Sequence, residues 1–346
     1  MSATPCILVT GGTGFIGSHT AVALLQNGYE VVIIDNLSNS YHEVIDRIES
    51  ITGKRPVFYR TDMRDDHALN EVFSLHRIDA VIHFAALKAV GESVEQPLLY
   101  YHNNLVSLIN LINACQQYKT DKLVFSSSCT VYGQPDHLPV TENTKVQKPQ
   151  SPYGNTKKIS EEILSDCASS SSLNVVSLRY FNPCGAHDSG MIGEFPIGKP
   201  NNLMPVITQT AAGILPHFEV FGNDYNTPDG SCIRDYIHIT DLADAHAKAL
   251  QRLMQKNNQS AFEVFNIGTG KGISVLEMVY AFERLTGMKL NYKISGRRAG
   301  DIEQIWADTS KAEKILGWKA KHTLDDMILS AWKWQQQLTH KTVHTK

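Results

Sequence analysis

A tyrosine and a lysine four residues apart could together move a proton. Tyr153 and Lys157 lie in the stretch SPYGNTK at residues 151–157. If Ser151 is the N-cap and Pro152 the first residue of a helix, Tyr153 falls in the first turn and Lys157 one turn later on the same face. Both side chains are then predicted to face one pocket.

The chemistry depends on the pKa of the Tyr153 phenol. A free tyrosine has a pKa of about 10, and ionisation near neutral pH requires this pKa to fall by about three, or roughly 4 kcal/mol. A lysine ammonium within about 6 Å and the positive end of the helix both favour the phenolate. The pair therefore suggests a general base for a hydroxyl proton. Taken alone, the pair is better interpreted as a surface tyrosine and a solvated lysine, and only the motifs elsewhere in the chain favour the catalytic interpretation.

The size and charge of the chain restrict the kind of partner. With 346 residues it exceeds a single core of about 100 to 200 residues, so we expect one large domain with a lobe, or two domains. The formal net charge is -3 and 42% of the residues are hydrophobic. Acidic and basic residues are interspersed, which argues against a basic surface for a nucleic acid polymer or an anionic membrane. We expect a small-molecule partner.

Cysteine and histidine usage gives no sign of disulfides or metal. The six cysteines form no CxxC pair, and we expect reduced, buried thiols at Cys6, Cys115, Cys129, Cys167, Cys184 and Cys232. His83 and His238 lie in apolar segments and are interpreted as packed residues, so no metal is predicted. We see no leader and no apolar run of the 18 or so residues that span a bilayer, and we expect a cytoplasmic protein.

Apolar strands alternate with helical segments over the first 180 residues. The predicted strands are 6–10, 31–35, 57–59, 80–84, 123–126 and 175–180. Near-continuous apolar strands are typical of a parallel sheet covered on both faces, and the alternation predicts an α/β fold with a doubly wound, Rossmann-type sheet.

The remainder of the chain predicts a smaller C-terminal mixed α/β lobe. Glycine, proline and asparagine are frequent in 190–202 and 223–230, and strands are predicted at 218–221, 236–239 and 264–267. We therefore assign 1–183 to the Rossmann-type domain, with returning segments at about 234–268, and 184–346 mainly to the lobe.

Three glycines after the first strand predict a dinucleotide site. Gly11, Gly14 and Gly17 would allow a tight turn, a close approach to a pyrophosphate, and a helix whose N-terminus faces the phosphates. The alternative is an ordinary strand-to-helix turn. Asp35 ends the next strand, where its carboxylate would accept ribose hydroxyls but repel a 2'-phosphate, so we expect NAD rather than NADP. Asp62 follows the third strand and could touch adenine, or simply end a polar loop.

The motifs together resemble known families. GGTGFIG at 11–17, Asp35, SSSCTVYG at 126–133 and SPYGNTK at 151–157 resemble the extended short-chain dehydrogenase/reductase superfamily. Longer strings resemble the UDP-glucose 4-epimerase family, from about residue 7 to residue 334. They are IHFAALKAVGESV at 82–94, LRYFNPCGAH at 178–187, NNLMP at 201–205, FGNDY at 221–225 and RDYIHITDLADAH at 234–246.

The resemblance implies a role for individual residues. Tyr153 would be the base and acid, Lys157 its electrostatic partner and nicotinamide-ribose contact, and Ser128 a hydrogen-bonding support. The implied NAD site comprises Gly11, Gly14, Phe15, Ile16, Asp35, Asn36, Asn39, Asp62, Met63, Phe84, Ala85, Lys88, Asn103, Tyr153, Lys157 and Phe181. The implied UDP-sugar site comprises Lys88, Ser128, Tyr153, Asn182, Asn202, Leu203, Phe221, Arg234, Arg298 and Asp301.

The reaction that the resemblance implies is reversible epimerisation of UDP-glucose and UDP-galactose. Tyr153 would remove the proton of the sugar 4'-hydroxyl while hydride passes to a tightly retained NAD, and the 4-keto sugar would turn before hydride returns to its other face. Arg234 and Arg298 provide guanidinium groups suited to a diphosphate.

Two other functions remain open at this stage. A nucleotide-sugar 4,6-dehydratase would share the fold and NAD, but its usual Asp-Glu pair is missing after Thr130. Cys129, next to that threonine, is interpreted as a packed thiol. A non-catalytic dinucleotide sensor is the other alternative, and intact Ser128, Tyr153 and Lys157 speak against it.

Substrate scope and assembly are less determined. Ile305 matches a position where, by resemblance, bulk limits the sugar pocket, so UDP-GlcNAc and UDP-GalNAc are possible further substrates; a glucose/galactose-only enzyme is the alternative. The resemblance also suggests a homodimer through helices at about 99–118 and 152–167, although their apolar faces fit internal packing equally well.

Overall fold

The computed structural model describes residues 4–344, with side chains to residue 339. Thirteen strands occur within this range. They are β1 (Cys6–Thr10), β2 (Glu30–Asp35), β3 (Val57–Arg60), β4 (Ala80–His83), β5 (Lys122–Ser126), β6 (Asn174–Tyr180), β7 (Asn182–Cys184), β8 (Phe218–Phe221), β9 (Ile233–His238), β10 (Phe262–Ile267), β11 (Gly272–Ser274), β12 (Tyr292–Ser295) and β13 (Gln304–Ile305).

Ten α-helices connect these strands in the described part of the chain. They are α1 (Phe15–Gln26), α2 (Val44–Thr52), α3 (Asp66–Leu75), α4 (Val90–Glu95), α5 (Pro97–Gln117), α6 (Pro152–Ser170), α7 (Leu203–Ala211), α8 (Ile239–Met254), α9 (Val275–Thr286) and α10 (Leu324–His344). A 3-10 helix spans Cys129–Tyr132, and a π-helical turn spans Ala312–Leu316.

The predicted doubly wound sheet is confirmed. Seven strands, all parallel, stand in the order β10-β6-β5-β4-β1-β2-β3. Apolar side chains of these strands are buried on both faces, against α1 and α8 on one side and α3, α5 and α6 on the other. The carboxyl ends of parallel strands share one edge, so the residues that follow β1, β2, β4, β5 and β6 are brought together there.

The smaller lobe has its own sheet and core. In a four-stranded sheet, β9 pairs with β7, β11 and β13, while β8 pairs with β12. Of the segments expected to return to the main sheet, β10 does so by pairing with β6, but β9 does not. The reason is that β10 pairs with the free edge of β6, whereas β9 pairs with β7, β11 and β13. The division at residue 183 falls inside β7 and remains our proposal.

The cysteines, except Cys167, are buried as predicted, and so are His83 and His238. All six cysteines are free thiols; five are buried, and Cys167 is half-buried. Burial lowers the pKa of His83 to about 3 and that of His238 to about 4. Within residues 4–344, no helix is long and apolar enough to cross a membrane.

Candidate active site

A cavity of about 1140 Å³ lies at the carboxyl edge of the main sheet and extends into the smaller lobe. It collects most of the predicted site residues on its wall. Those that line it are Gly11, Gly14, Phe15, Ile16, Asp35, Asn36, Asn39, Asp62, Met63, Phe84, Ala85, Lys88, Asn103, Tyr153, Lys157, Asn182, Asn202, Leu203, Phe221, Arg234, Arg298 and Asp301. Residues from both lobes therefore converge on one site.

The turn after β1 requires glycine at two of its three positions. Gly11 has φ of +68°, and a Cβ there would lie 2.7 Å from the backbone nitrogen of Ala85. A Cβ at Gly17 would lie 2.2 Å from the carbonyl oxygen of Gly11. Gly14 is the N-cap of α1 and has no side-chain cap. The first turn of α1 lines the cavity, and its N–H groups have no acceptors within the helix, as an anion site requires.

Asp35, at the end of β2, is held in one orientation. Its carboxylate accepts hydrogen bonds from the backbone nitrogens of Thr13 (3.2 Å) and Leu37 (2.9 Å) and from the hydroxyl of Ser40 (3.0 Å). A carboxylate has about four acceptor positions. The arrangement leaves about one of them for a ligand in the cavity.

Asp62 is tied to neighbouring side chains. Hydrogen bonds from Arg64, and a further one from Asn36 at 3.1 Å, hold the pKa of this carboxyl well below its usual range. Met63 beside it is 4% exposed, and its carbonyl accepts a hydrogen bond from Asn110. The Asn36–Asp62 contact joins the loops after β2 and β3, which places both at the same end of the cavity as Asp35.

The helix start predicted around Tyr153 is confirmed. Ser151 is the N-cap of α6 and accepts a hydrogen bond from the Gly154 nitrogen at 3.2 Å, with Pro152 as the first helical residue. Tyr153 and Lys157 then lie one turn apart and line the same cavity. The Lys157 ammonium donates to the carbonyl oxygen of Ser126 at 2.7 Å.

The predicted lowering of the Tyr153 pKa is wrong for the protein by itself. Burial raises this pKa well above its usual value, the neighbouring Tyr180 raises it further, and the hydrogen bond from Ser128 only partly opposes them. Burial also lowers the pKa of Lys157 to about 8, against an opposing effect of Glu161. Burial disfavours the charged forms of both side chains, and the residue spacing does not reveal how deeply the pair is buried.

Ser128 supports Tyr153 from beneath the cavity wall. It is 6% exposed, caps the 3-10 helix, and accepts hydrogen bonds from the nitrogen and hydroxyl of Thr130 at 3.2 and 2.9 Å. Its hydroxyl also contacts the Tyr153 phenol. Ser128 is therefore in place to orient the phenol, although it is not part of the cavity lining.

Phe181 does not line the cavity. Its side chain is 2% exposed and packs with Cys129, Val131 and Ile305. Tyr180 and Asn182, on either side of it, do line the cavity. Side chains alternate between opposite sides of extended backbone, which turns Phe181 away from the space its neighbours face.

Tyr180 is a site residue that the sequence analysis missed. It lines the cavity, and its hydroxyl hydrogen-bonds Ser126 and the Tyr153 phenol. Its position at the carboxyl end of β6 was the available signal, because strand ends at this edge supply the other site residues.

The predicted diphosphate-binding residues form one cluster. The Arg298 guanidinium donates to Asp301 at 2.9 and 3.1 Å, and Arg234 lies 3.7 Å from the same carboxylate. Arg298 also lies over the ring of Phe221, with 5.2 Å between Cζ and the ring centre. The cluster presents two guanidinium groups and one carboxylate to the cavity, a net positive charge.

Glu194 connects the two halves of the site and was also missed. Its carboxylate accepts hydrogen bonds from Lys88 at 3.0 Å and from Asn202, the N-cap of α7. Burial opposes the charge of Lys88, but the Glu194 carboxylate raises the pKa of Lys88 overall. Leu203 begins α7 beside them, so this end of the cavity is polar on one side and apolar on the other.

Three further residues bear on the alternatives. Ile305 in β13 is 1% exposed and lines the cavity beside Arg234, its neighbour in β9. Val131, where a dehydratase would need an acid after Thr130, is fully buried. Burial raises the pKa of Cys129 to about 12, which keeps this cavity-lining thiol neutral. Among the described residues, no group of three metal-ligating side chains is found.

The chain is similar to known nucleotide-sugar enzymes over nearly its whole length. Residues 8–330 match the family model described as GDP-mannose 4,6 dehydratase. The UDP-glucose 4-epimerase of Bacillus subtilis (strain 168) is 52% identical over 330 residues, which are 95% of this chain and 96% of that protein.

Two solved structures have closely similar folds. A UDP-glucose-4-epimerase from Stenotrophomonas maltophila, solved with NAD and formylated UDP-arabinopyranose, is 49% identical with a TM-score of 0.93, covering 97% of this chain and 99% of that one. The UDP-glucose 4-epimerase from Bifidobacterium longum, solved with NAD+ and UDP, is 47% identical with a TM-score of 0.93, covering 96% and 98%.

Proposed function

We infer that this chain, which belongs to the UDP-glucose 4-epimerase family, interconverts UDP-glucose and UDP-galactose at the sugar 4-position with NAD as its cofactor. The observation that carries this conclusion is the meeting of three groups in one cavity. They are the glycine turn with Asp35, the Tyr153–Lys157 pair, and the two guanidinium groups beside Asp301.

The residues on the sheet side fit NAD. The helix end at Gly14 suits the pyrophosphate, and the oriented carboxylate of Asp35 suits an adenosine ribose hydroxyl while disfavouring a 2'-phosphate. Asn36 and Asp62 stand beside Asp35 where the adenosine end would lie. NAD, when bound, supplies the hydride-accepting and hydride-donating ring that the reaction needs.

We assign the proton transfer to Tyr153. Its phenolate form takes the proton of the sugar 4'-hydroxyl, and the phenol so formed later returns it, with Ser128 orienting the oxygen and Lys157 providing a positive charge one helical turn away. Because burial keeps the phenol neutral in the protein alone, ionisation requires further positive charge in the cavity. Tyr180 shares the proton network and restrains the Tyr153 hydroxyl.

We assign UDP binding to the smaller lobe. Arg234 and Arg298 neutralise the diphosphate, and Phe221 covers the flat face of the nucleotide. Asn182 and Asn202 supply amide donors and acceptors on the cavity wall. A charged grip on UDP leaves the hexose without a comparable anchor, which allows a 4-keto sugar to turn and be reduced on its other face.

The test is NMR of purified protein incubated with UDP-galactose and no added NAD. The wild type should form UDP-glucose, Tyr153→Phe should form none, and Tyr118→Phe should match the wild type, since that tyrosine bonds the Asn70 carbonyl away from the cavity. If the wild type leaves UDP-galactose unchanged even after NAD is supplied, the proposed function fails. A 4,6-dehydratase would instead yield a dehydrated keto sugar.

We also propose that N-acetylated UDP-sugars are accepted. Ile305 forms part of the cavity wall, and its side chain is smaller than an aromatic one. Incubation with UDP-GlcNAc tests this scope directly, because formation of UDP-GalNAc is visible in the same NMR assay. If the protein converts UDP-glucose and UDP-galactose but neither N-acetylated sugar, the proposed scope is wrong and Ile305 is only an apolar part of the cavity wall.

We further propose a cytoplasmic homodimer formed through α5 and α6. Free thiols at all six cysteines suit a reducing compartment. Leu98 and Ile109 are 80% and 44% exposed and lie three turns apart on α5, hence on one face. Sedimentation velocity should give a dimer that Ile109→Glu weakens; a monomeric wild type would contradict the proposal.

A further inference from the structure

An aromatic contact joins the two sides of the cavity. Phe195 lies in residues 193–202, here called the strap, which run from β7 to α7 along the cavity. Its ring stacks on that of Tyr41, in the loop after β2, with centroids 4.6 Å apart and planes at 24°. Both rings line the cavity together with Asp35 and Asn39. Ser40, next to Tyr41, donates to the Asp35 carboxylate at 3.0 Å, so the stack lies at the end of the cavity assigned above to NAD.

The strap is anchored behind Phe195. The ring edge of Phe195 meets Trp334 of α10, with centroids 6.3 Å apart and planes at 87°. The Trp334 indole donates to the Glu194 carbonyl at 3.0 Å. A Cβ at Gly193 would lie 2.5 Å from the Trp334 ring, so only glycine permits this approach. These contacts fix the direction in which the strap presents Phe195.

The Rossmann-type side holds the same anchor. The Arg47 guanidinium of α2 lies 5.1 Å from the Trp334 ring centre, and it donates to the Met191 carbonyl at 3.3 Å. Tyr41 is carried by the loop that leads into α2. A second tie crosses the cavity where Glu194 meets Lys88. The strap is thus fastened to the Rossmann-type side through two adjacent residues, Phe195 by an aromatic contact and Glu194 by an ionic one.

We propose that the Tyr41–Phe195 stack is a clasp that retains NAD in the protein. The proposal rests on the function inferred above, since it requires that NAD occupies the cavity beside Asp35. While the two rings are in contact, the loop after β2 and the strap meet over this end of the cavity. NAD dissociates only when the stack opens, so the free energy of the ring contact adds to the barrier for dissociation and slows it.

The clasp has a use in the reaction cycle. Epimerisation returns the cofactor to its starting redox state only if the reduced form stays until the second hydride transfer. A protein that released NADH midway would be left without a reductant for its keto sugar. Tyr41 and Phe195 are positioning residues in this account, because neither is placed to touch the reacting atoms.

The experiment measures release of NAD independently of turnover. Protein loaded with radiolabelled NAD is freed of excess by gel filtration and chased with unlabelled NAD. Phe195→Ala and Tyr41→Ala should each raise the dissociation rate about tenfold, the equivalent of about 1.4 kcal/mol for an aromatic pair. Tyr41→Phe keeps the ring and should stay within about twofold of the wild type.

Two controls separate the clasp from general destabilisation. Tyr280→Ala removes a tyrosine that is 53% exposed on α9 and lies outside the cavity lining, and its dissociation rate should equal that of the wild type. The double variant Tyr41→Ala/Phe195→Ala should release NAD no faster than either single variant, because one contact is lost in all three. If the two side chains instead acted through separate packing contacts, the effects of the two substitutions on the dissociation rate would add in free energy.

The outcomes distinguish the clasp from the proposed function. If wild-type protein retains NAD and converts UDP-galactose but Phe195→Ala releases NAD within twofold of its rate, the clasp alone is refuted. The same holds if Tyr41→Phe releases NAD as fast as Tyr41→Ala. If the wild type binds no NAD at all, the clasp and the proposed function fall together.

Discussion

Behind Ser128 and Lys157 lies a buried ion pair whose removal should destabilise the whole chain. The Glu161 carboxylate accepts hydrogen bonds from the Arg179 guanidinium at 2.6, 3.0 and 3.1 Å. It also accepts from the hydroxyls of Ser127 at 2.6 Å and Ser177 at 2.9 Å. The side chains of Glu161 and Arg179 are each 8% exposed. Glu161→Gln removes the charge while keeping the shape of the side chain.

The expected cost follows from the buried charge that remains. Breaking a buried pair by removing one partner costs about 3 to 5 kcal/mol, because the Arg179 guanidinium is left uncompensated. Unfolding entropy of about 2.1 cal/mol/K per residue gives about 0.7 kcal/mol/K for this chain. The melting temperature of Glu161→Gln should therefore fall by about 4 to 7 °C.

The adjacent residue provides a matched control. Glu162 pairs with Lys158 at 2.6 Å on the surface, with side-chain exposures of 58% and 31%. Such pairs contribute about 0 to 1 kcal/mol, so Glu162→Gln should lower the melting temperature by about 1 °C or less. The double variant Glu161→Gln/Arg179→Met removes both charges and should melt above Glu161→Gln.

Thermal melts followed by circular dichroism measure all three variants under one buffer condition. A melting temperature of Glu161→Gln within about 1 °C of that of Glu162→Gln would contradict the predicted cost of the buried charge, and so would a double variant that melts below the single one. Epimerase activity at a temperature well below every melt is a second readout. It should drop in Glu161→Gln, since the amide has one acceptor oxygen in place of the two that Arg179, Ser127 and Ser177 share next to Ser128.

Four other site residues carry predictions. Burial lowers the pKa of Lys157 from 10.5 to about 8. Below pH 8 the folded state therefore holds a buried ammonium, whose desolvation lowers the free energy of unfolding. Relative to Lys157→Met, the unfolding free energy should rise by about 3 kcal/mol between pH 8 and 10.5, measured by urea titration; a difference that does not change with pH contradicts the lowered pKa of Lys157. Asp35→Ala should weaken NAD binding or its selectivity over NADP in direct titrations, and unchanged values would remove Asp35 from the site. Arg298→Ala should raise KM for UDP-galactose at least tenfold with unchanged NAD content, since it loses a charge-assisted contact to phosphate; an unaltered KM argues against this role. Ile305→Tyr should selectively reduce turnover of UDP-GlcNAc relative to UDP-glucose in NMR assays, and an equal ratio would exclude Ile305 as a limit on sugar size.

Much of the main sheet was accessible to sequence reasoning because its signals are local. The first strand was predicted with its observed bounds, and the Ser151 cap was predicted from adjacent residues. The destination of β9 was not accessible, since a strand pattern does not state its partner. The same limit hid Glu194, whose contacts with Lys88 and Asn202 come from separate parts of the chain.

The sequence by itself determined the Rossmann-type class, the glycine turn, the start of α6 and, through motif resemblance, the reaction. Each depends on residue types at fixed, short spacings. Tertiary structure decided the pKa values of Tyr153 and Lys157, the orientation of Phe181 away from the cavity, and the contact between Tyr41 and Phe195. The physical reason is that burial and long-range contact depend on what the rest of the chain packs around a residue, and neighbours in sequence do not specify that.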